Sequence, residues 1–151
     1  MSCGEKNKKI FIADDEEVVC DLYAEELSSE GYEVVSTSDC GKLMDMIEQY
    51  EPDLVVLDIR MGEYNGLDLL QGVRNAYDTM PVILCSAYSS YKYDLRSIGA
   101  DSYVVKSSDL TELKIQINMA LEARVSLLAD KRIKNMETQD YQGIPPAIFV
   151  G

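Results

Sequence analysis

Apolar and polar positions alternate along the chain in blocks of two kinds. Short runs of four or five mostly apolar residues are typical of strands buried on both faces of a parallel sheet. Between these runs, apolar residues recur every three or four positions, which indicates helices with one buried face. The predicted strands are residues 9–13, 32–36, 54–57, 81–85 and 102–105.

The helical pattern predicts five helices between and after these strands. Gly31 would end the first, Ser38 and Asp39 are candidate caps of the second, and Asp109 and Glu112 resemble a capping box for the last. The fourth is predicted to be short and rich in tyrosine. The positions assigned to the helices are Val18, Val19, Leu22, Tyr23 and Leu27; Leu43, Met44 and Ile47; Leu67, Leu69, Leu70 and Val73; residues 88–98; and Leu110, Leu113, Ile117 and Leu121.

Regular alternation of strands and helices predicts the fold class. Each right-handed crossover between parallel strands must bury a helix against the sheet, so the helices cover both faces. We therefore predict an α/β fold with a doubly wound, five-stranded parallel sheet. In such a sheet, ligands bind beyond the carboxyl ends of the strands.

Polar side chains stand at those carboxyl ends. Asp14 and Asp15 follow the first strand, Asp58 ends the third, Ser86 follows the fourth and Lys106 the fifth. Taken singly, Asp14 or Asp15 could cap a helix and Asp58 could begin a turn. Together, three carboxylates would raise one another's pKa unless a cation neutralised them. Oxygen ligands at a hydrated edge suit Mg²⁺, and Lys106 and Ser86 could contact a phosphoryl group.

Charge narrows the possible partners. The 151 residues include 14 Lys and Arg against 27 Asp and Glu, a net charge of −13. Residues 10–122 carry 7 basic and 23 acidic side chains, whereas residues 123–151 carry 4 basic and 3 acidic ones. Such an acidic body repels nucleic acid and anionic membranes, so we expect neither as a direct partner.

Cysteine usage and the N-terminus predict a cytoplasmic protein. The four cysteines show no spacing typical of a zinc site, and the chain contains no histidine. Free, reduced thiols are therefore expected. The first residues, "MSCGEKNKK", lack the apolar core of a signal peptide, and no apolar run reaches the length of a transmembrane helix.

Four motifs, in order, resemble the receiver domain of two-component response regulators, in particular the stand-alone single-domain members. They are "IADDEE" at 12–17, "VVLDIRMGEYNG" at 55–66, "ILCSAY" at 83–88 and "GADSYVVK" at 99–106. The resemblance implies a flavodoxin-like sheet with strand order 2-1-3-4-5. It divides the chain into a flexible N-terminus (1–7), a receiver domain (8–122), and an extension of the last helix to about Lys134 with a loose tail (123–151), without a separate output domain.

The resemblance also implies roles for individual residues. Asp58 corresponds to the phospho-acceptor and Lys106 to the lysine that contacts the phosphoryl group. Asp15 corresponds to a direct Mg²⁺ ligand, Asp14 to its acidic neighbour acting through water, and Arg60 to the residue whose backbone carbonyl completes the metal site.

Signalling and partners follow from the same resemblance. Ser86 matches the switch hydroxyl and Tyr103 the switch aromatic residue. Their movements change the surface formed by the fourth helix, the fifth strand and the fifth helix. The phosphoryl donor would be a sensor histidine kinase or a phosphotransfer protein, since this chain has no histidine. A downstream protein would read the surface, and we expect a monomer or a weak dimer that catalyses only its own phosphorylation and dephosphorylation.

The sequence departs from the family pattern at three places. Ser107 follows Lys106 where the family has a cis proline; because a non-proline cis bond costs roughly 3–4 kcal/mol, we expect a trans bond or local strain. Gly62 replaces a loop proline, which predicts a more mobile loop. The interval from Ser86 to Lys106 is shorter than is typical, so we do not expect dimerisation through the fourth helix. We also hypothesise that Arg60 and Tyr88 shield the phosphoryl group and slow its hydrolysis.

The same residues bear on three other possible functions. A phosphatase of the haloacid dehalogenase kind would need a second aspartate two residues after Asp58, where Arg60 stands. A receiver-like module that binds proteins without phosphorylation is kept open by Ser107. The chain could also be the receiver fragment of a longer regulator.

Overall fold

The elements alternate along the chain much as the apolar pattern predicts. The computed structural model describes residues 7–61, 63–87 and 99–143. In chain order the elements are β1 (Lys9–Ala13), α1 (Glu17–Ser29), β2 (Glu33–Thr37), a 3₁₀ turn (Cys40–Lys42), α2 (Leu43–Tyr50), β3 (Leu54–Asp58), β4 (Arg60–Met61), β5 (Tyr64–Asn65), α3 (Gly66–Ala76), β6 (Val82–Ser86), β7 (Ser102–Val105) and α4 (Thr111–Gly143).

Five strands form one sheet in the order β2-β1-β3-β6-β7, and every neighbouring pair is parallel. When only the five strands of this sheet are numbered along the chain, β6 is the fourth and β7 the fifth, so the order is the predicted 2-1-3-4-5. The flavodoxin-like, doubly wound fold is thereby confirmed. The pattern did not predict the short antiparallel pair of β4 and β5 in the loop directly after β3.

The sheet separates two apolar cores, because successive strand residues point to opposite faces. On one face, Phe11, Val55 and Leu84 meet the apolar stripes of α2 and α3. On the other, Ile12 and Val56 meet the stripes of α1 and α4. Both faces are covered, so the inner strands β1, β3 and β6 are nearly continuous apolar runs rather than alternating ones.

The buried face of α1 differs from the predicted one. Cys20, Tyr23 and Leu27 are buried, whereas Val18 is 78% exposed and Leu22 is also exposed. Several apolar residues in this helix are compatible with more than one helical face. The sheet selects the face that carries Tyr23 and Leu27, and Val18 and Leu22 are left at the surface.

The helix ends follow local hydrogen bonding. Asp39 caps the 3₁₀ turn before α2 by accepting the N–H of Gly41 at 3.0 Å. Asp109 accepts the N–H of Thr111 at 3.0 Å. Its own N–H, which Glu112 would accept in a capping box, donates instead to Ser107 Oγ at 3.1 Å, so the reciprocal half of the predicted box is wrong.

The last helix is longer than predicted, continuing past Lys134 to Gly143. None of the helices in the described part of the chain combines the length and the apolar character needed to cross a membrane. The described peptide bonds are all trans, including the one between Lys106 and Ser107. The predicted fourth helix (88–98), the hypothesised role of Tyr88 and the mobile loop at Gly62 lie outside the described residues.

Candidate functional site

Two neighbouring strands bring three carboxylates together at the carboxyl edge of the sheet. Ala13 of β1 pairs with Leu57 of β3, so the residues that follow them, Asp14 and Asp58, become neighbours. One oxygen from each of Asp14, Asp15 and Asp58 lies within 4.8 Å of the others. Asp14 and Asp58 are buried and Asp15 is exposed.

Lys106 supplies the counter-charge to this cluster. Its Nζ lies 2.7 Å from Asp14 Oδ2 and 3.2 Å from Asp58 Oδ2. The backbone N–H of Lys106 donates to the carbonyl of Ser86 at 2.7 Å, which continues the pairing of β6 with β7 and fixes where the lysine begins. One ammonium is thus shared by the two buried carboxylates, Asp14 and Asp58.

Electrostatics in the cluster disfavour the charged form of Asp58. Burial, followed by the charge of Asp14, raises the pKa of Asp58 to about 6, although Lys106 and the N–H of Arg60 act in the opposite direction. Burial lowers the pKa of Lys106, but its hydrogen bond to Asp14 and the two carboxylate charges outweigh that effect and raise the pKa above the usual value. A cation at the cluster would favour the ionised form of Asp58.

The donor set fits a hard divalent cation. The three side chains offer carboxylate oxygens, and the exposed position of Asp15 leaves room for water ligands, which Mg²⁺ retains. An open cavity of about 230 Å³ adjoins the cluster, against about 30 Å³ for one water in the liquid. Its lining residues are Asp15, Glu16, Asp58, Arg60, Ser86, Ala87 and Lys106.

Most of the predicted site residues therefore meet at one cavity. Asp15, Asp58, Ser86 and Lys106 line it, and Asp14 lies within the cluster. The backbone N–H of Arg60 donates to Asp58 Oδ1 at 3.3 Å, and Arg60 also lines the cavity.

Tyr103 lies apart from the cavity lining. It pairs with Leu84 in the sheet and packs, partly buried, against the core on the side of α2 and α3. Ser86 pairs with Val105, two residues further along β7. The two predicted switch residues therefore lie on adjacent, paired strands, Ser86 on β6 and Tyr103 on β7.

Sequence reasoning missed Gly66 as a determinant of this site. A Cβ at Gly66 would lie 2.2 Å from the carbonyl oxygen of Asp58 and 2.7 Å from Ile59 Cα. Its N–H donates to the carbonyl of Ile59 at 2.6 Å. Only glycine allows α3 to start this close to Asp58. A glycine at the predicted junction of loop and helix was the available signal.

Glu16 was also missed as part of the site. It lines the cavity, and its N–H donates to Asp14 Oδ1 at 3.0 Å. This bond holds the Asp14 carboxylate at the start of α1. The signal was an acidic residue two positions after Asp14, within the motif "IADDEE".

Comparison with known proteins agrees with this geometry. Residues 10–118 match the family model of the response regulator receiver domain. The fold is similar to that of the response regulator TrrA from Thermotoga maritima, solved in complex with Mg²⁺-BeF, with 37% identity, a TM-score of 0.72, and coverage of 75% of this chain and 98% of that one.

Two further structures extend the comparison. TrrA in complex with the histidine kinase ThkA matches with 37% identity and a TM-score of 0.71, over 76% of this chain and 98% of that one. A CheY-like receiver domain from Methanospirillum hungatei matches with 28% identity and a TM-score of 0.75, over 80% and 98%. Because the matched segment includes every residue of the acidic cluster as well as Ser86 and Lys106, the chain belongs to the response regulator receiver domain family.

Proposed function

We propose that this chain is a response regulator receiver that accepts a phosphoryl group on Asp58 and signals through the resulting change in its surface. The observation that carries the proposal is the cluster of Asp14, Asp15 and Asp58 with Lys106 bridging two of the carboxylates. The similarity to TrrA, which has been solved both with Mg²⁺-BeF and with a histidine kinase, supports it.

The acidic cluster is the proposed Mg²⁺ site. Asp15 and Asp58 would supply ligand oxygens, Asp14 would act through water, and the backbone carbonyl of Arg60 would complete the set. Bound Mg²⁺ would offset negative charge on the phosphoryl oxygens during transfer.

Asp58 is the proposed nucleophile. One of its carboxylate oxygens attacks the phosphorus of a phosphohistidine on a sensor histidine kinase or phosphotransfer protein. The bond from phosphorus to the imidazole nitrogen breaks, and its electron pair stays on the donor's nitrogen. The donor histidine lies outside these 151 residues, which contain none.

Lys106 and Ser86 are proposed to receive the transferred group. Lys106 lies 3.2 Å from Asp58 Oδ2, so its ammonium needs little movement to contact a phosphoryl oxygen on Asp58. Ser86 is buried at the end of the neighbouring strand β6, where its hydroxyl can donate to another phosphoryl oxygen.

Output is proposed to begin at Ser86 and reach Tyr103. Movement of Ser86 toward the phosphoryl group would leave space into which Tyr103 can turn, and a downstream protein would bind the altered surface. We place the protein in the cytoplasm in this proposal, because Cys20 and Cys85 are buried free thiols, as expected in a reducing compartment.

The experiment that tests the proposal is phosphorylation by acetyl phosphate with and without Mg²⁺, measured by intact mass. We expect a gain of one phosphoryl group that requires Mg²⁺ and is lost in Asp58→Asn. Asp45→Asn, an exposed aspartate on α2, is the matched control and should behave as the parent chain.

A negative result has a defined second step. The chain would then be tested with a phosphohistidine donor and with beryllofluoride. Failure of all three would contradict the proposal and favour a module that binds its partner without phosphorylation.

A further inference from the structure

One acidic residue of the cavity beside the acidic cluster has no task in the proposed reaction. The other polar residues that line this cavity have been assigned to the metal ion, to the phosphoryl group or to the shielding of that group. They are Asp15, Asp58, Arg60, Ser86 and Lys106. Glu16 lines the same cavity, and none of these tasks requires its carboxylate.

Local structure does not explain the carboxylate of Glu16 either. Glu16 occupies the N-cap of α1, where shorter polar residues are preferred, and its side chain makes no capping hydrogen bond. Within the described residues the carboxylate has no hydrogen bond or ion pair. Only the backbone is engaged: its N–H donates to Asp14 Oδ1 at 3.0 Å, and its carbonyl accepts the N–H of Cys20 at 3.1 Å. Glu16 is therefore fixed beside the cluster with its side chain unpaired in this part of the chain.

Other carboxylates of α1 are placed differently. Glu26 and Glu30 pair with Lys114 Nζ, at 3.2 Å and 3.1 Å. Glu17, one residue after Glu16, lines a separate cavity at the end of β2. Glu17 therefore provides a matched comparison, because it has the same charge and adjoins Glu16 without lining the cavity beside the cluster.

The direction of transfer places the donor's leaving group on the side of Glu16. The attacking and leaving atoms lie on opposite sides of phosphorus in an in-line transfer. Asp58, the proposed nucleophile, is 5% exposed and Ser86 is 1% exposed, so both lie at the floor of the cavity. Glu16 is exposed. The leaving group therefore departs toward the opening of the cavity, where Glu16 stands.

We propose, on the basis of the proposed function, that Glu16 selects the phosphoryl donor by the charge of its leaving group. In a protonated phosphoimidazole ring, the nitrogen without phosphorus carries a proton and donates it in a hydrogen bond to the Glu16 carboxylate. An oxygen of Asp58 bonds to phosphorus as the bond from phosphorus to nitrogen breaks. The electron pair of that bond stays on the ring nitrogen, and neutral imidazole leaves with its proton.

An acyl phosphate lacks this interaction. The leaving group of acetyl phosphate is acetate, which is an anion without a hydrogen-bond donor, so the Glu16 carboxylate repels it. Both donors carry a phosphoryl group of similar charge, and its repulsion by Glu16 cancels when the two rates are compared. The ratio of the rates therefore reports the interaction with the leaving group.

Phosphorylation rates with phosphoimidazole and with acetyl phosphate test the proposal. They are measured by intact mass with saturating Mg²⁺ at about pH 7, where an imidazole ring is partly protonated. Glu16→Gln should lower the rate with phosphoimidazole by about 5-fold and raise the rate with acetyl phosphate by about 2-fold, as expected for one exposed charge pair. The ratio should thus fall by about 10-fold, and further in Glu16→Lys. Glu17→Gln is the control and should leave the ratio unchanged.

Opposite shifts of the two rates distinguish selection of the donor from a structural role, which would move both rates in one direction. A ratio in Glu16→Gln within about 2-fold of the parent value would overturn the role of Glu16, and so would an equal change in Glu17→Gln. Mg²⁺ titration of each variant verifies saturation. If neither donor phosphorylated the parent chain, the proposed function itself would be contradicted, and the role of Glu16 with it.

Discussion

Charged side chains are arranged differently at the amino and carboxyl edges of the sheet. At the amino edge, Arg74 donates to the carbonyls of Gly99 and Met80 and to Asp101 Oδ2, which also accepts the N–H of Val82 at 2.7 Å. At the carboxyl edge, Lys106 is shared by Asp14 and Asp58, and Asp15 adds a third carboxylate. The first arrangement pairs one cation with one carboxylate and ties α3 to the sheet, whereas in the second a single ammonium is shared by two buried carboxylates.

That difference separates a stabilising network from a reactive one. A partly buried ion pair with every partner satisfied supports the fold, whereas clustered carboxylates oppose one another until a cation binds. Strongly shifted pKa values mark functional sites for this reason. The raised pKa of Asp58 at the carboxyl edge follows this rule.

The largest expected effect tests Lys106 at the carboxyl edge. Lys106→Met removes the ammonium that faces Asp14 and Asp58, so the phosphorylation rate from acetyl phosphate should fall by about 100-fold. Mg²⁺ should nevertheless bind more tightly, because one competing positive charge is gone. Rate by intact mass and affinity by titration calorimetry check both halves. An equal loss of Mg²⁺ binding would show instead that the variant damages the site as a whole.

A second substitution tests the amino edge. Arg74→Met removes the donors to Gly99, Met80 and Asp101 and leaves their oxygens without these contacts. The free energy of unfolding should fall by about 2–3 kcal/mol, while Mg²⁺-dependent phosphorylation continues because the site lies at the other edge. Urea denaturation measures the loss. A change below about 0.5 kcal/mol would place this pair among ordinary surface ion pairs.

The third prediction concerns the raised pKa of Asp58. The pKa of Asp58 is raised in the folded chain, so the folded state binds a proton more tightly than the unfolded state, and stability should fall as the pH rises from about 4 to 6. Asp58→Asn removes this charge and should stabilise the Mg²⁺-free chain by about 1–2 kcal/mol above pH 6.

Urea denaturation across this pH range, with EDTA present, measures the effect of Asp58→Asn. Asp45→Asn is the control on an exposed surface. If Asp58→Asn destabilised the chain at neutral pH, Asp58 would be a structural residue rather than a strained one.

The smallest expected effect concerns hydrolysis of the phosphorylated chain. Arg60 lines the cavity, and Tyr88 was predicted to stand beside it. Replacing both by alanine should speed dephosphorylation several-fold by admitting water, as followed by loss of the phosphoryl mass. An unchanged lifetime would refute the shielding hypothesis.

The sequence was sufficient for the strands and for the residues at their ends. Buried parallel strands need continuous apolar runs, so β1, β3 and β6 were visible, and Asp14, Asp58 and Ser86 were found as the polar residues that end them. The period of apolar residues also predicted α2, α3 and the start of α4. The buried face of α1 was predicted only in part, because Val18 and Leu22 were assigned to it and are exposed.

Only the tertiary structure decided how these parts meet. The sharing of Lys106 between Asp14 and Asp58, the close approach of Gly66 to Asp58 and the cavity that Glu16 lines all depend on distances between distant segments. A local pattern reports which side chains avoid water, because burial follows the period of one helix or strand. It does not predict which segments lie opposite one another. The pairing of strands and the packing of helices across the sheet decide that.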